Sequence, residues 1–154
     1  MANTRARLRM TTLYAFASHH KMLVAGTGNK IEDFGIGFFT KYGDGGVDLS
    51  PIADLMKSQV YALANELGVV DSIQQAAPTD GLFADSRSDE DQIGATYNEL
   101  EWAMNFIAEK GNMDLLNPRQ QEVMKIYQQR HAANRHKIDP VPVCVIPAGL
   151  FQSH

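Results

Sequence analysis

The chain has 154 residues, of which 44% are hydrophobic and 21% charged, and its net charge is −4 at pH 7. This length predicts one domain, residues 1–154, and the composition excludes an intrinsically disordered chain. The negative charge disfavours nucleic acid and acidic membranes as partners, so a phosphate-bearing ligand needs a local cationic pocket. The longest apolar stretch, residues 141–151, is interrupted by prolines and is shorter than the roughly 20 residues of a membrane helix, which predicts no membrane span.

The N-terminus and the cysteine content indicate a cytoplasmic protein. Residues 1–9 carry three arginines but no apolar run of the kind found in a signal peptide. The single cysteine, Cys144, cannot form an internal disulfide, and its neighbours Val143 and Val145 predict that it is buried. Both features favour a reducing compartment.

The start of the chain predicts a helix followed by a strand. In residues 4–18, apolar side chains recur at helical spacing, while Arg5 and Arg9 share another face. Residues 22–25 form a short apolar run before Gly26, which is typical of a strand buried in a parallel sheet.

A second helix is predicted after the glycine-rich stretch. Ser50 and Pro51 predict its beginning and Gly68 its end. Lys57 lies near its start, where the helix dipole disfavours a cation unless an anion is nearby. A ligand phosphate could be that anion, but Asp54 or bulk water could also relieve the unfavourable charge. The apolar stripe of this helix consists of Met56, Val60, Leu63 and Leu67.

The second half of the chain predicts a loop, two helices and an extended tail. Residues 78–92 contain many turn formers and little periodicity, which predicts a long exposed loop that is functional or mobile. Capping patterns and apolar periodicity predict helices over about 96–110 and 117–131. The tail "PVPVCVIP", 140–147, is expected to be extended because proline lacks the donor that a helix needs.

The stretch "VAGTGNKIEDFG", 24–35, is a candidate ligand site. Its glycines follow the predicted strand, and ligands of open α/β sheets bind outside the carboxyl ends of strands. Thr27 offers a hydroxyl, and Glu32 could hold a hard cation such as magnesium. An ordinary strand-to-helix connection with a surface glutamate explains the spacing equally simply, and spacing alone favours that alternative.

The stretch "KYGDGGVD", 41–48, has two interpretations. Asp44 and Gly45 are typical turn residues, and most Asp-Gly pairs are no more than that. Lys41 and Asp48, however, place a cation and a hydrogen-bond acceptor on either side of an approachable backbone. This pattern suits a phosphate together with hydroxyls or a ring amide.

Taken in order, several stretches resemble the ammonia-dependent NAD synthetase family, or the synthetase domain of its glutamine-dependent relatives. They are "NTRARLRM", "VAGTGNKIEDFGIGFFTKYGDGGVDLSPIADLMKSQV", "ELG", "PTDGL", "DEDQIGATYNEL" and, near the end, "RHK". The resemblance implies a partial α/β fold of the Rossmann-like adenine nucleotide alpha hydrolase (ATP pyrophosphatase) type, with a parallel sheet and flanking helices.

The resemblance also implies the roles of individual residues. Deamido-NAD contacts are implied for Arg7, Lys41, Asp48, His136 and Lys137. ATP contacts are implied for Thr27, Lys57 and Thr79. Glu32 is implied to bind Mg²⁺ and, with Lys57, to take part in catalysis. The segment after Thr79 resembles the family's mobile active-site loop.

One family motif does not occur in this sequence. Family members carry a "SGGxDS" loop whose amides hold the ATP phosphates and whose aspartate shares the magnesium. We therefore expect the chain to be the C-terminal part of such an enzyme and to form no NAD alone. The alternative function is a non-catalytic nucleotide-binding or dimerisation fragment.

The family reaction has two steps. The nicotinate carboxylate of deamido-NAD attacks the α-phosphate of ATP and releases pyrophosphate; ammonia then displaces AMP and forms the amide. The resemblance further implies a homodimer, and it leaves open whether ammonia or glutamine is the nitrogen donor.

Overall fold

The structure is a computed structural model that describes residues 1–79, 81–82 and 88–150. Six α-helices dominate these residues. Their bounds are Ala2–His20 (α1), Lys57–Glu66 (α2), Asp71–Gln74 (α3), Asp89–Ile93 (α4), Tyr97–Ala108 (α5) and Pro118–Ile138 (α6). A π-helical turn, Ile31–Ile36, follows the first glycines, and 3₁₀ turns lie at Met113–Leu115 and Ala148–Leu150.

The hydrophobic core lies between α5, α6 and the π-helical turn. Ile31, Ile36 and Leu100 are each fully buried, and Val123 and Met124 are 1% exposed. Burying one such side chain stabilises a fold by about 1.5–3 kcal/mol. Because the two isoleucines fix both ends of the π-helical turn on α5 and α6, the turn carries the polar residues between them to a defined position.

Three predicted helices are confirmed. Helix α1 covers the predicted range, and α5 begins after Thr96, whose hydroxyl accepts from the Glu99 N–H in the predicted capping box. Helix α6 begins at Pro118 after Asn117, whose side chain accepts from the Gln120 N–H. It continues to Ile138 instead of ending near residue 131, and this extension brings its last turns to the glycine-rich stretches.

The predicted strand is present only as an isolated bridge. Ala25 and Leu49 form a single parallel bridge, in which the Gly26 N–H donates to the Leu49 carbonyl at 2.7 Å. Met22 and Leu23 remain 68% exposed. A strand requires a continued hydrogen-bonded ladder, and the described residues provide none for this segment. The predicted parallel sheet is therefore not confirmed.

The predicted start of the second helix is wrong. Ser50 and Pro51 begin a turn, closed by the Ala53 N–H donating to the Ser50 carbonyl, and α2 begins at Lys57. A carboxylate of α5, Glu101, accepts from the backbone N–H and the hydroxyl of Ser58 at 2.8 and 2.6 Å. The sequence alone does not reveal this acceptor because it lies 43 residues away in the chain.

Two further predictions are partly wrong. The predicted loop 78–92 contains α4, which Ser88 caps by accepting from the Asp91 N–H; residues 80 and 83–87 lie outside the described part of the chain. The tail 140–147 has no regular structure, as predicted, but Cys144 is exposed. The prediction that Cys144 is buried relied on its apolar neighbours, but Val143 and Val145 are themselves 80% and 84% exposed.

Within these described ranges, no helix combines the length and the apolar character needed to cross a membrane.

Candidate active site

A cavity of about 620 Å³ lies between the start of α1, the π-helical turn, the segment 37–44 and the second half of α6. Five of the predicted site residues line it: Thr27, Glu32, Lys57, Thr79 and Lys137. A smaller cavity of about 250 Å³ adjoins it and shares Thr27, Glu32 and Lys137. Residues from four separate stretches of the sequence thus meet at one place.

The Glu32 side chain accepts three hydrogen bonds at the cavity. Its Oε1 accepts from the Lys57 ammonium at 3.3 Å and from the Tyr97 hydroxyl at 2.6 Å. Its Oε2 accepts from the Asn29 N–H at 3.3 Å. The Glu32 side chain is only 15% exposed. The alternative of a free surface glutamate is therefore wrong, because burial and three donors fix this carboxylate.

Tyr97, the first residue of α5, is a site residue that the sequence analysis missed. It is 4% exposed, and the Lys57 ammonium lies 4.9 Å from the centre of its ring. Burial first, and then the negative charges of Glu32 and Asp89, raise the pKa of Tyr97 above its ordinary value. The hydroxyl therefore stays protonated and donates a hydrogen bond to a carboxylate.

Helix α6 contributes a polar face that the sequence analysis recognised only at Lys137. Arg130, Asn134 and Lys137 all line the cavity. Their spacing of four and then three residues puts them on one side of the helix, which is the signal that could have identified them. Arg130 donates to the carbonyls of Gln92 and Ile93 at 2.5 and 3.1 Å, so it also anchors the end of α4.

Lys137 lies at the boundary of the two cavities. Its ammonium donates to the carbonyls of Gly37 and Phe39, both at 2.7 Å. Burial lowers the pKa of Lys137, and the nearby Asp44 carboxylate partly opposes that effect. The amine is therefore both a structural anchor of the segment 37–39 and a cation at the cavity wall.

The stretch 41–48 forms the turn that the first interpretation predicted. The Asp44 carboxylate accepts from the Thr40 N–H at 3.0 Å, and the Gly43 N–H donates to the Thr40 carbonyl at 2.8 Å. A Cβ on Gly45 would lie 2.4 Å from the ring of Phe39, so only glycine fits this close contact. The turn also carries Asp44 to the wall of both cavities.

Arg7, Lys41 and His136 form a second group beside the cavity. The Arg7 guanidinium donates to the Lys41 carbonyl at 3.3 and 3.4 Å, and the Lys41 ammonium donates to the His136 carbonyl. None of the three is among the described residues that line the two cavities. Since His136 precedes Lys137 in α6, this group adjoins the cavity wall.

Asp48 has a structural position. Its carboxylate accepts from the Val24 N–H at 2.8 Å and from the Tyr14 hydroxyl at 3.1 Å. It therefore joins α1 to the segment that contains the isolated bridge, and it lies outside the linings of both cavities among the described residues.

Three carboxylates of the described residues line the cavity, Glu32, Asp44 and Asp89, and Glu32 is the one predicted to bind a magnesium ion. The described residues contain no group of three or more His, Cys, Asp or Glu side chains arranged around a metal position. Mg²⁺ commonly binds one or two carboxylates and completes its shell with water and substrate phosphates. Glu32 fits that pattern, because a carboxylate can accept about four hydrogen bonds and Glu32 accepts three. Burial and the negative charges of Glu32 and Asp44 raise the pKa of the neighbouring Asp33 to about 6.

Two arginines of α1 hold the segment that follows Thr79. Arg5 donates to the Leu82 carbonyl at 2.6 Å, and Arg9 donates to the Gly81 carbonyl at 3.3 Å. The Thr79 hydroxyl accepts from the Gly81 N–H at 3.3 Å. These contacts place the predicted ATP contact Thr79 at the cavity, whereas most of the predicted mobile loop, residues 80 and 83–87, lies outside the described residues.

Known proteins resemble this chain over nearly its whole length. It is 42% identical over 135 residues to the NH(3)-dependent NAD(+) synthetase of Mycoplasma pneumoniae, covering 88% of this chain and 50% of that protein. It is 40% identical over 143 residues to the synthetase of the same name from Carboxydothermus hydrogenoformans, covering 93% and 55%. The chain thus spans about half the length of the curated relatives it matches.

Solved structures agree with these relatives. The NMN synthetase from Francisella tularensis matches with a TM-score of 0.75 and 33% identity, covering 96% of this chain and 56% of that one. The NH3-dependent NAD synthetase from Campylobacter jejuni matches with a TM-score of 0.69 and 25% identity, covering 93% and 54%. The model of the NAD synthase family matches residues 1–141. On this evidence the chain belongs to the NAD synthase family.

Proposed function

We propose that this chain supplies the cofactor-binding and substrate-binding part of an NAD synthetase, a ligase that amidates deamido-NAD with ammonia at the expense of ATP. The observation that carries the proposal is the convergence of Thr27, Glu32, Lys57, Thr79 and Lys137 on one cavity, in a chain of the NAD synthase family. We treat residues 1–154 as one domain.

The cavity is assigned to ATP and Mg²⁺. Glu32 binds the metal, Lys57 lies 3.3 Å from Glu32 and neutralises phosphate charge, and Thr27 and Thr79 offer hydroxyls at the cavity lining. Mg²⁺ supplies charge neutralisation on the triphosphate when it is bound. A carboxylate nucleophile must approach an anionic phosphate in this reaction, so fixed positive charge at that point lowers the barrier.

Deamido-NAD is assigned to the adjoining group. The cations of Arg7 and Lys41 lie beside the ATP cavity, His136 adjoins them through the carbonyl that accepts from Lys41, and Lys137 lines the cavity itself. Holding both substrates side by side makes the first step effectively intramolecular. Asp48 is assigned to deamido-NAD as well, because its carboxylate accepts two hydrogen bonds, from the Val24 N–H and the Tyr14 hydroxyl, of the about four that it can accept.

A homodimer is part of the proposal. Leu8, Leu13 and Phe16 of α1 are 63%, 56% and 64% exposed, and such an apolar stripe is suited to a subunit contact.

The test is formation of NAD from deamido-NAD, Mg-ATP and ammonium by the intact protein that carries this sequence. The isolated chain 1–154 is assayed in parallel and is expected to bind Mg-ATP without turnover. The absence of both turnover by the intact protein and nucleotide binding by the chain would refute the proposal. Binding without any turnover by the intact protein would support the non-catalytic alternative.

A second substrate for amidation is tested in the same assay, because one structural relative is an NMN synthetase. Nicotinate mononucleotide replaces deamido-NAD at equal concentration. The proposal expects the dinucleotide to have the higher kcat/KM. The reverse order would make NMN synthesis the function.

A further inference from the structure

Tyr97 touches two of the proposed functional residues but lies behind the cavity wall. Its hydroxyl is 2.6 Å from Glu32 Oε1, and the Lys57 ammonium lies 4.9 Å from its ring centre. The residue is 4% exposed, and it is not among the described lining residues of the cavity. Any effect on a ligand must therefore pass through the side chains that Tyr97 contacts: Glu32, Lys57 and the more distant Asp89, which all line the cavity. The inference rests on the proposed function.

The hydroxyl fixes the direction of the Glu32 carboxylate. Two carboxylates lie within its reach, Glu32 Oε1 at 2.6 Å and Asp89 Oδ2 at 3.4 Å. A hydroxyl has one hydrogen to donate, and the shorter contact is the stronger hydrogen bond. The Tyr97 hydroxyl therefore donates its hydrogen bond to Glu32. Since the Asn29 N–H holds the other oxygen of Glu32, the carboxylate plane is set from both sides.

The ring acts separately on Lys57. An ammonium near the face of an aromatic ring is attracted to it, and the attraction is larger when both groups are partly removed from water. The Lys57 side chain is 21% exposed, so it is partly removed from water. The ring and Glu32 together limit the positions that the ammonium can take.

We propose that Tyr97 is a positioning residue of the ATP–magnesium site, whose hydroxyl aims Glu32 at the metal and whose ring holds Lys57 at the phosphates. The two tasks are separable, because Tyr97→Phe removes the hydroxyl alone, whereas Tyr97→Leu removes the ring as well.

The primary variant is Tyr97→Phe in the intact protein. We expect the Mg²⁺ concentration for half-maximal NAD synthesis to rise about tenfold, the scale typical of residues that orient metal ligands. The KM for ammonium is expected to stay unchanged. Tyr97→Leu is expected to raise the KM for ATP in addition, since Lys57 then loses the ring.

The matched control is Tyr127→Phe. Tyr127 is 6% exposed and lies in the same core, but its ring stacks on His131 with the centroids 6.1 Å apart. Both variants lose the hydroxyl of a buried tyrosine, so any general effect of that loss on stability is common to them. Only the loss at Tyr97 is expected to change the metal requirement, and thermal unfolding of each variant verifies that both remain folded.

A binding measurement gives a readout that does not depend on turnover. Mn²⁺ is titrated into the protein with α,β-methylene-ATP, and free Mn²⁺ is followed by electron paramagnetic resonance. Tyr97→Phe is expected to weaken Mn²⁺ binding about tenfold, and Tyr127→Phe to leave it within about twofold of wild type. Equal Mn²⁺ affinities for wild type and Tyr97→Phe would overturn the inference.

The inference and the proposed function fail in different ways. If wild type makes NAD and Tyr97→Phe matches Tyr127→Phe in metal requirement, the positioning role is refuted and the proposed function stands. If wild type makes no NAD but Tyr97→Phe weakens Mn²⁺–nucleotide binding, the positioning role stands and the reaction assignment is refuted.

Discussion

At the scale of single residues, two groups of polar side chains meet at the end of α6, and each group has its own lysine. Lys57 pairs with Glu32 inside the cavity, whereas Lys41 reaches the His136 carbonyl outside it. The positions differ, so the two lysines should serve different ligands. The family resemblance already implies different ligands for the two lysines, and the folded structure adds the distance between their positions.

We expect Lys57→Met to weaken Mg-ATP binding by about tenfold or more and Lys41→Met to weaken deamido-NAD binding selectively. A hydrogen bond to a charged group contributes about 1.5–3 kcal/mol, which corresponds to that factor. Isothermal titration with each ligand separately measures both effects. Lys30→Met is the control, because Lys30 forms a 2.8 Å ion pair with Asp54, whose side chain is 97% exposed. An ATP-only defect in Lys41→Met would reverse the assignment of the two groups.

At the scale of elements, the start of α2 determines where Lys57 lies. Lys57 is the first residue of that helix, and Glu101 of α5 accepts the two hydrogen bonds of Ser58 beside it. The carboxylate accepts from one of the free N–H groups at the start of α2, that of Ser58, and its charge compensates the positive end of the helix dipole. Helix α5 thus supports the site twice, through Glu101 at the start of α2 and through Tyr97 behind Glu32.

We expect Glu101→Ala to lower the free energy of unfolding by about 1 kcal/mol, the usual cost of losing a helix N-terminal acceptor. It should also raise the KM for ATP, because the first turn of α2 carries Lys57. Urea unfolding and steady-state kinetics measure the two effects. Glu109→Ala, at the exposed end of the same helix, is the control. A stability loss without any change in KM would show that α2 positions Lys57 without help from Glu101.

At the scale of the whole molecule, local patterns predicted α1, α5 and α6, whereas the start of α2, the short helices α3 and α4 and the meeting of the site residues were not predicted. The caps at Thr96 and Asn117 depend on residues three positions away, so the sequence alone predicted them correctly. The start of α2 and the burial of Cys144 depend on distant partners, and both predictions were wrong. Thr27, Glu32 and Lys57 were selected from their motifs, but Tyr97 reaches Glu32 across 65 residues and no local pattern indicates it.

The packing of α5 on α6 links stability to pH through Glu99. Arg119 of α6 donates to both oxygens of Glu99 at 2.7 and 2.8 Å, and it also donates to the Gly94 carbonyl after α4. These hydrogen bonds hold the pKa of Glu99 at about 2, against about 4.3 for an unperturbed glutamate. A folded-state pKa below the unfolded value stabilises the fold above about pH 5, and that stabilisation is lost as the pH falls towards 2.

We therefore expect Glu99→Gln to be less stable than wild type at pH 7 and equally stable near pH 2. The glutamine oxygen can still accept from the Thr96 N–H, so the capping box survives. The amide NH2 then replaces the oxygen that accepts from Arg119 Nε, so the variant loses the charge and that one hydrogen bond. The Arg119 and Glu99 side chains are 47% and 29% exposed, so solvent screening limits the difference at pH 7 to about 1 kcal/mol or less. Urea unfolding between pH 2 and 7 measures it, with Glu122→Gln as the control, since Glu122 pairs with the same arginine but is 60% exposed. A difference between Glu99→Gln and wild type that does not change with pH would mean that the glutamine disturbs the cap or the packing, because only a titrating carboxylate can make the difference vanish in acid.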